Sequence, residues 1–147
     1  MMCIALQSYH RAHDEPPEYR GNSWDLSGEY RRLTAQCLIL ADVTQPIPHL
    51  LETLLLHLYA EYSRSWDAET GVLLSVSIIV RLAQRTGLHR DPKHYPNIPV
   101  FQGEMGRRIW TAVRQADLLF SQQAGFPPMI RSSDTNTDLP SNLYDDE

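Results

Sequence analysis

The sequence predicts an all-α protein: an irregular helical bundle around a buried central helix, followed by a long loop-rich C-terminal segment. Three observations predict it. From Val72 to Val80 only Ser75 and Ser77 interrupt an otherwise apolar run, which continues through Leu82 and Ala83. A helix apolar on nearly every face is one that others pack around, and this one is too short to span a bilayer. Elsewhere, apolar residues recur at three- and four-residue steps in three further long segments. Between these segments lie proline-rich and polar stretches such as 13–18, 42–48 and 91–99, which read as loops.

The end of the central helix is written locally. Gly87 suits the left-handed position just past a helix, Arg81 and Arg85 lie in the last turns where the helix dipole favours cations, and Pro92 blocks resumption. The β-branched segment Val76 to Val80 also fits a buried strand by pattern, but the continuation through Leu82-Ala83-Gln84-Arg85 favours a helix.

In chain order, Ile4 to Ala12 supplies one or two helical turns before His13-Asp14-Glu15-Pro16-Pro17-Glu18 breaks them. Leu26 to Ala41 is amphipathic through Trp24, Leu26, Tyr30, Leu33, Cys37, Leu38 and Leu40, with Ser23 or Asp25 as N-cap. Pro46 and Pro48 fall where the next helix starts, a position that tolerates proline. That helix, Ile47 to Ser63, carries a wide stripe of Leu50, Leu51, Leu54, Leu55, Leu58, Tyr59 and Tyr62. The last helix, about Gln102 to Gln123, aligns Met105, Ile109, Trp110, Val113, Ala116, Leu119 and Phe120, with Glu104 in its first turn. Past Gly125 the chain reads as loop, ending in the acidic tail Tyr144-Asp145-Asp146-Glu147.

Composition narrows the function. A chain of 147 residues is one domain's worth, and its 42% hydrophobic and 21% charged content excludes wholesale disorder. A net charge of −5 argues against a surface that grips nucleic acid throughout, because that affinity comes from Lys and Arg on phosphates. Cys3 and Cys37 lie on apolar stretches, cannot form a zinc ligand set alone, and read as buried free thiols in a reducing compartment. Met1-Met2-Cys3-Ile4-Ala5-Leu6 lacks the basic leader of a secretory signal.

No catalytic constellation stands out. His89-Arg90-Asp91 resembles the start of a kinase catalytic loop, but Asn97 comes one residue too late, and no glycine-rich loop, lysine strand or Asp-Phe-Gly accompanies it. His10, His13 and Asp14 form one candidate metal trio and His89, Asp91 and His94 another, neither with the rigid helical spacing of a zincin. Ser63, Ser65 and Ser75 sit in no nucleophile elbow. Arg107, Arg108 and Arg114 suggest a phosphate patch, against which stands a structural reading. Glu104 lies three and four residues before the two adjacent arginines, and charges on an apolar face are paired when buried, with Arg the preferred partner. The expectation is therefore a buried network of Arg81, Asp91, Arg107 or Arg108, and Asp117.

Arg81-Leu82-Ala83-Gln84 followed by Gly87-Leu88-His89-Arg90-Asp91-Pro92 resembles the signature of the fungal-specific transcription factor domain, the middle homology region of regulators that carry a binuclear zinc cluster. It is also known as the xylanolytic transcriptional activator regulatory domain. Glu104, Arg107-Arg108-Ile109-Trp110, Asp117, Gly125-Phe126-Pro127 with Ile130, Asp134-Thr135 and Asp138-Leu139-Pro140-Ser141-Asn142 agree in order and spacing, and Leu50 to Tyr62 resembles the family's leucine-rich second helix. The resemblance runs from about Leu26 to Asp146, which divides the chain into an N-terminal short helix and loop, 1–25, and a partial regulatory domain, 26–147. Gly106 stands where the family usually has a basic residue and Thr111 where a second tryptophan is common.

The resemblance implies a non-enzymatic, nuclear regulatory domain that modulates transcription. DNA would be bound through a six-cysteine module absent from this chain, and zinc is expected only there. Other parts of the same regulator, a protein partner or a small-molecule effector would be its contacts. The chain then reads as the central portion of a larger regulator or a truncated gene model, with an uncovered apolar patch as the physical consequence. Arg81, His89, Asp91, Arg107, Arg108, Trp110 and Asp117 are expected to form a structural network tying the central helix to the last one. Two other classes stay open: a small-metabolite-sensing module in which Tyr59, Tyr62, Trp66, Trp110 and Phe120 line a pocket, and a metal-dependent enzyme using His89, Asp91 and His94.

Overall fold

A computed structural model describes every residue except Thr44, Pro46, 65–68 and 143–147, and the side chains of Glu69 and Thr70. Trp66, Ser65, Pro46 and the acidic tail therefore lie outside the described residues. The described residues hold five α-helices and no strand: α1 Met2–Ala12, α2 Ser23–Leu40, α3 Leu50–Arg64, α4 Glu69–Arg85 and α5 Val100–Gln123. Short 3₁₀ turns occur at Pro17–Tyr19, Pro92–His94 and Ser132–Asp134. The strand alternative for Val76 to Val80 is thereby removed. The all-α class is as the sequence predicts, and each helix is found within a few residues of its expected place. Two compact units divide at Val72.

In the first unit, α1 and α2 meet through small side chains. Ser27 is fully buried; its hydroxyl donates to the Cys3 carbonyl at 3.2 Å, and its oxygen lies 3.4 Å from the Cys3 sulfur. Gln7, also buried, donates to the Ala60 carbonyl of α3 at 3.2 Å. Leu6, Leu50, Leu51, Leu55 and Leu58 supply the apolar core. The expected apolar stripe of α2 is corrected here. Its buried residues are Ser23 and Ser27, whereas Tyr30, Leu33 and Leu40 are exposed and so is the Cys37 thiol. Small residues let two backbones approach, so they and not the large ones face the neighbour.

Ser23 does not cap α2 either. It is the first helical residue after Asn22, and its hydroxyl donates instead to Glu15. Gly21 N–H at 2.6 Å and His10 Nδ1 at 3.1 Å converge on the same carboxylate. These hydrogen bonds, that from Ser23 foremost, hold the Glu15 carboxyl down to about 2. His10 is thus committed to Glu15, and the first candidate metal trio is not assembled.

The second unit begins within α4. Val76, Ile79, Val80 and Ala83 are buried, but Leu74 is 63% and Ile78 51% exposed, on the face that also carries Arg81 and Arg85. Burial on every face is corrected to burial along one side. A run without polar residues names no face, so packing alone selects one. Past α4, Gly87 takes φ +83° as expected, and Thr86, Gly87 and Leu88 N–H groups close the carbonyls of Leu82, Gln84 and Ala83. On α5 the buried face is Trp110, Val113, Ala116, Asp117 and Phe120, while Met105 and Leu119 of the expected stripe are exposed.

Candidate functional site

The second unit is organised on one carboxylate. Asp91 N-caps the Pro92–His94 turn, where its Oδ1 accepts the Lys93 N–H at 2.9 Å, and its side chain is wholly buried. Sixteen residues on, in α5, Arg107 donates from Nε to Oδ2 at 3.0 Å and from Nη2 to Oδ1 at 2.9 Å. Asp138 N–H, from the C-terminal segment, donates to Oδ2 at 2.9 Å. Four donors from three parts of the chain thus satisfy one buried anion, the condition under which such a charge is tolerated. The Arg107 bond first, with the two backbone N–H groups, holds the Asp91 carboxyl far below the usual carboxylate range, and Asp91 in turn raises the Arg107 guanidinium.

A strap, residues 129–141, is laid over this unit by hydrogen bonds. Asp117, buried on α5, accepts the N–H groups of Met129 at 3.1 Å and Ile130 at 2.8 Å. Thr135 Oγ1 accepts the Trp110 indole N–H at 2.9 Å and donates to the His89 carbonyl at 3.1 Å, which also takes the Asn136 N–H at 3.1 Å. Thr137 Oγ1 donates to the Leu88 carbonyl at 2.7 Å, and Asn136 Oδ1 takes the Asp91 N–H at 3.1 Å. Lys93 Nζ meets Asp138 at 2.6 Å, and Glu104 accepts the Ser141 N–H at 3.1 Å. A loop with Leu139 three-quarters exposed is therefore held by polar bonds more than by apolar burial.

The seven residues expected to form one network are distributed differently. Asp91 and Arg107 form its centre. Trp110 and His89 join through Thr135, their rings 6.2 Å apart, and the His89 Nδ1 is buried without a partner. Arg108 is half-exposed and pairs with Glu104 at 3.1 Å, four residues earlier. Asp117 holds backbone N–H groups rather than an arginine. Arg81, on the exposed face of α4, donates to Gln84 one turn on at 3.2 Å and stands outside the cluster. Residue spacing does not single out Thr135, Asn136, Thr137 and Asp138 as network members, although Thr135 and Asp138 belong to the segments that carry the resemblance. Their short polar side chains in a loop were the available signal.

Two residues of the second candidate metal trio are engaged elsewhere. Both Asp91 oxygens are occupied, and His94 Nε2 takes the Asn136 amide at 3.3 Å, so the His89, Asp91 and His94 trio is not assembled. Among the described residues no group of three His, Cys, Asp or Glu side chains could hold a metal ion. Trp110 and Phe120 are buried, 1% and 3% exposed, and Tyr59 and Tyr62 lie on α3. No helix among the described residues is long and apolar enough to cross a membrane.

The motif residues of the sequence thus carry the internal joints of the second unit, and comparison with known proteins places them. The family model of the fungal specific transcription factor domain matches residues 1–147. The chain belongs to this family. It is 44% identical over its whole length to the Zn(2)-C6 fungal-type transcription factor pigI of Monascus ruber, covering 18% of that protein. It is 40% identical over 99% of its length to transcription factor phm2 of a Pyrenochaetopsis species, and 37% identical over its whole length to the pyrrolocin cluster transcription factor fsdR of a fungal species, covering 20% of each. The fungal specific transcription factor domain described here spans about a fifth of the length of these relatives. No solved structure matches it.

Proposed function

We propose that this domain is the regulatory, middle homology part of a fungal zinc-cluster transcription factor, acting in the nucleus to modulate transcription without catalysis. The observation that carries the reading is the match along the whole chain to the family model and to a relative named as a Zn(2)-C6 fungal-type transcription factor. The site supports it: Asp91 and Arg107 are spent on each other, Glu104 on Arg108 and Asp117 on backbone N–H groups, which suits a scaffold for intramolecular control more than a reaction centre. DNA contact and zinc belong to a six-cysteine module outside this chain, for which Cys3 and Cys37 do not suffice. Residues 26–147 form the body of the domain, and 1–25 an N-terminal helix and loop joined to it through the Ser27 and Gln7 contacts. Its partners are other parts of the same regulator or a protein bound to it.

The test places the chain between a heterologous zinc-cluster DNA-binding module and an acidic activation segment, and reads a reporter. Reporter output should change severalfold when the chain is inserted and return towards the chain-free level with Arg107→Ala. Equal output from the chain-free, wild-type and Arg107→Ala fusions would contradict a regulatory role.

A further inference from the structure

The second unit has a cleft of about 290 Å³ beside the turn that ends α4, near the lower end of volumes that hold small molecules. Its walls combine Leu88, Tyr95 and Ile98 with Arg85 and Arg90, and Gly106 of α5 lines it without a side chain. No carboxylate lines it, although the chain carries a net −5. The acidic groups nearby are engaged elsewhere: Asp91 by Arg107, Glu104 by Arg108 and Asp138 by Lys93. The side chain of Arg90 is exposed, and no carboxylate among the described residues pairs with it. At the helix end the Leu82, Ala83 and Gln84 carbonyls are already bonded.

Gly106 is the revealing position. It lies inside α5, where glycine costs about 0.5–1 kcal/mol relative to alanine. Packing does not demand it, because an added Cβ would meet only Leu88 Cδ2 at an ordinary 3.4 Å. What a longer side chain there would do is enter the cleft.

We propose that this cleft binds a small amphipathic organic anion, its apolar body against Leu88, Tyr95 and Ile98 and its acid group on Arg90. An acid held by guanidinium gains charge-assisted hydrogen bonds, and the open space at Gly106 admits a ring-sized body. The site is separate from the aromatic residues considered in the sequence, and binding to it does not depend on the regulatory reading.

The probe is 2-naphthoate, with 2-naphthylmethanol as its neutral counterpart, titrated into the 147-residue chain by calorimetry and followed by amide shifts in ¹H–¹⁵N spectra. Naphthoate should shift Gly87, Leu88 and Gly106, and the alcohol should bind about tenfold more weakly. Arg90→Gln should lose a similar factor with an unchanged spectrum elsewhere, Gly106→Ala should bind as the wild type does, and Gly106→Leu should not bind. Absence of binding up to about 1 mM, equal affinity for acid and alcohol, or wild-type affinity in Gly106→Leu would each overturn the proposal. If Gly106→Leu does not fold, Arg90→Gln decides. A silent reporter with intact naphthoate binding would instead count against the regulatory reading alone.

Discussion

Arg107 grips both carboxylate oxygens of Asp91 across sixteen residues of chain, and Asp91 has no exposed surface. The pair joins the turn after α4 to α5, and the Asp138 N–H ties the strap to the same oxygens. Removing one partner leaves a buried charge uncompensated, which is costlier than losing the pair. Arg107→Ala should destabilise the chain by about 3 kcal/mol, towards the lower end of the usual range because Arg107 is 22% exposed. Arg108→Ala, removing a half-exposed helix pair, should cost about 0.5 kcal/mol or less. Urea denaturation of the two variants checks this; equal midpoints would count against Asp91 as the joint.

The pH response follows from the same group. Its folded pKa is depressed, so the stabilisation is fully present above the ordinary carboxylate value of 3.8 and is lost as pH falls through the lower folded value. The stability advantage of the wild type over Asp91→Asn should therefore be flat from pH 7 to 5 and shrink below about pH 4. Chemical denaturation across that range measures it. A gap that instead widens on acidification would show the sign to be wrong.

Asp117 is the anchor of the strap's first turn. Asp117→Ala leaves the Met129 and Ile130 N–H groups without acceptors, at about 2–4 kcal/mol for the two. Hydrogen exchange at those two amides should accelerate before the α5 amides do. Unchanged protection at both would mean the carboxylate does not hold them.

Glycines on one helix should respond in opposite directions. Gly106→Ala should stabilise by about 0.5–1 kcal/mol, whereas at Gly103 a Cβ would lie 3.2 Å from Pro92 Cβ and Cγ and should destabilise. Thermal melts of the two variants decide whether close approach to Pro92 is what Gly103 permits.

The sequence by itself determined the helices to within a few residues, the C-terminal end of α4 and the family. Those are local matters: i to i+4 spacing, a glycine at φ +83° after α4, and prolines that cannot continue a helix report through neighbours in the chain. Several weak motifs in the right order then sufficed to identify the family. Tertiary structure alone decided which arginine meets Asp91, that Asp117 serves backbone and not a cation, and that Leu74 and Ile78 face outward. Arg107 and Arg108 are adjacent and chemically equal, and only the angle at which α5 lies beside the Pro92–His94 turn separates a buried fork from a surface pair. The strap was legible as loop, but its anchors lie 12 to 49 residues away, a distance over which residue spacing carries no signal.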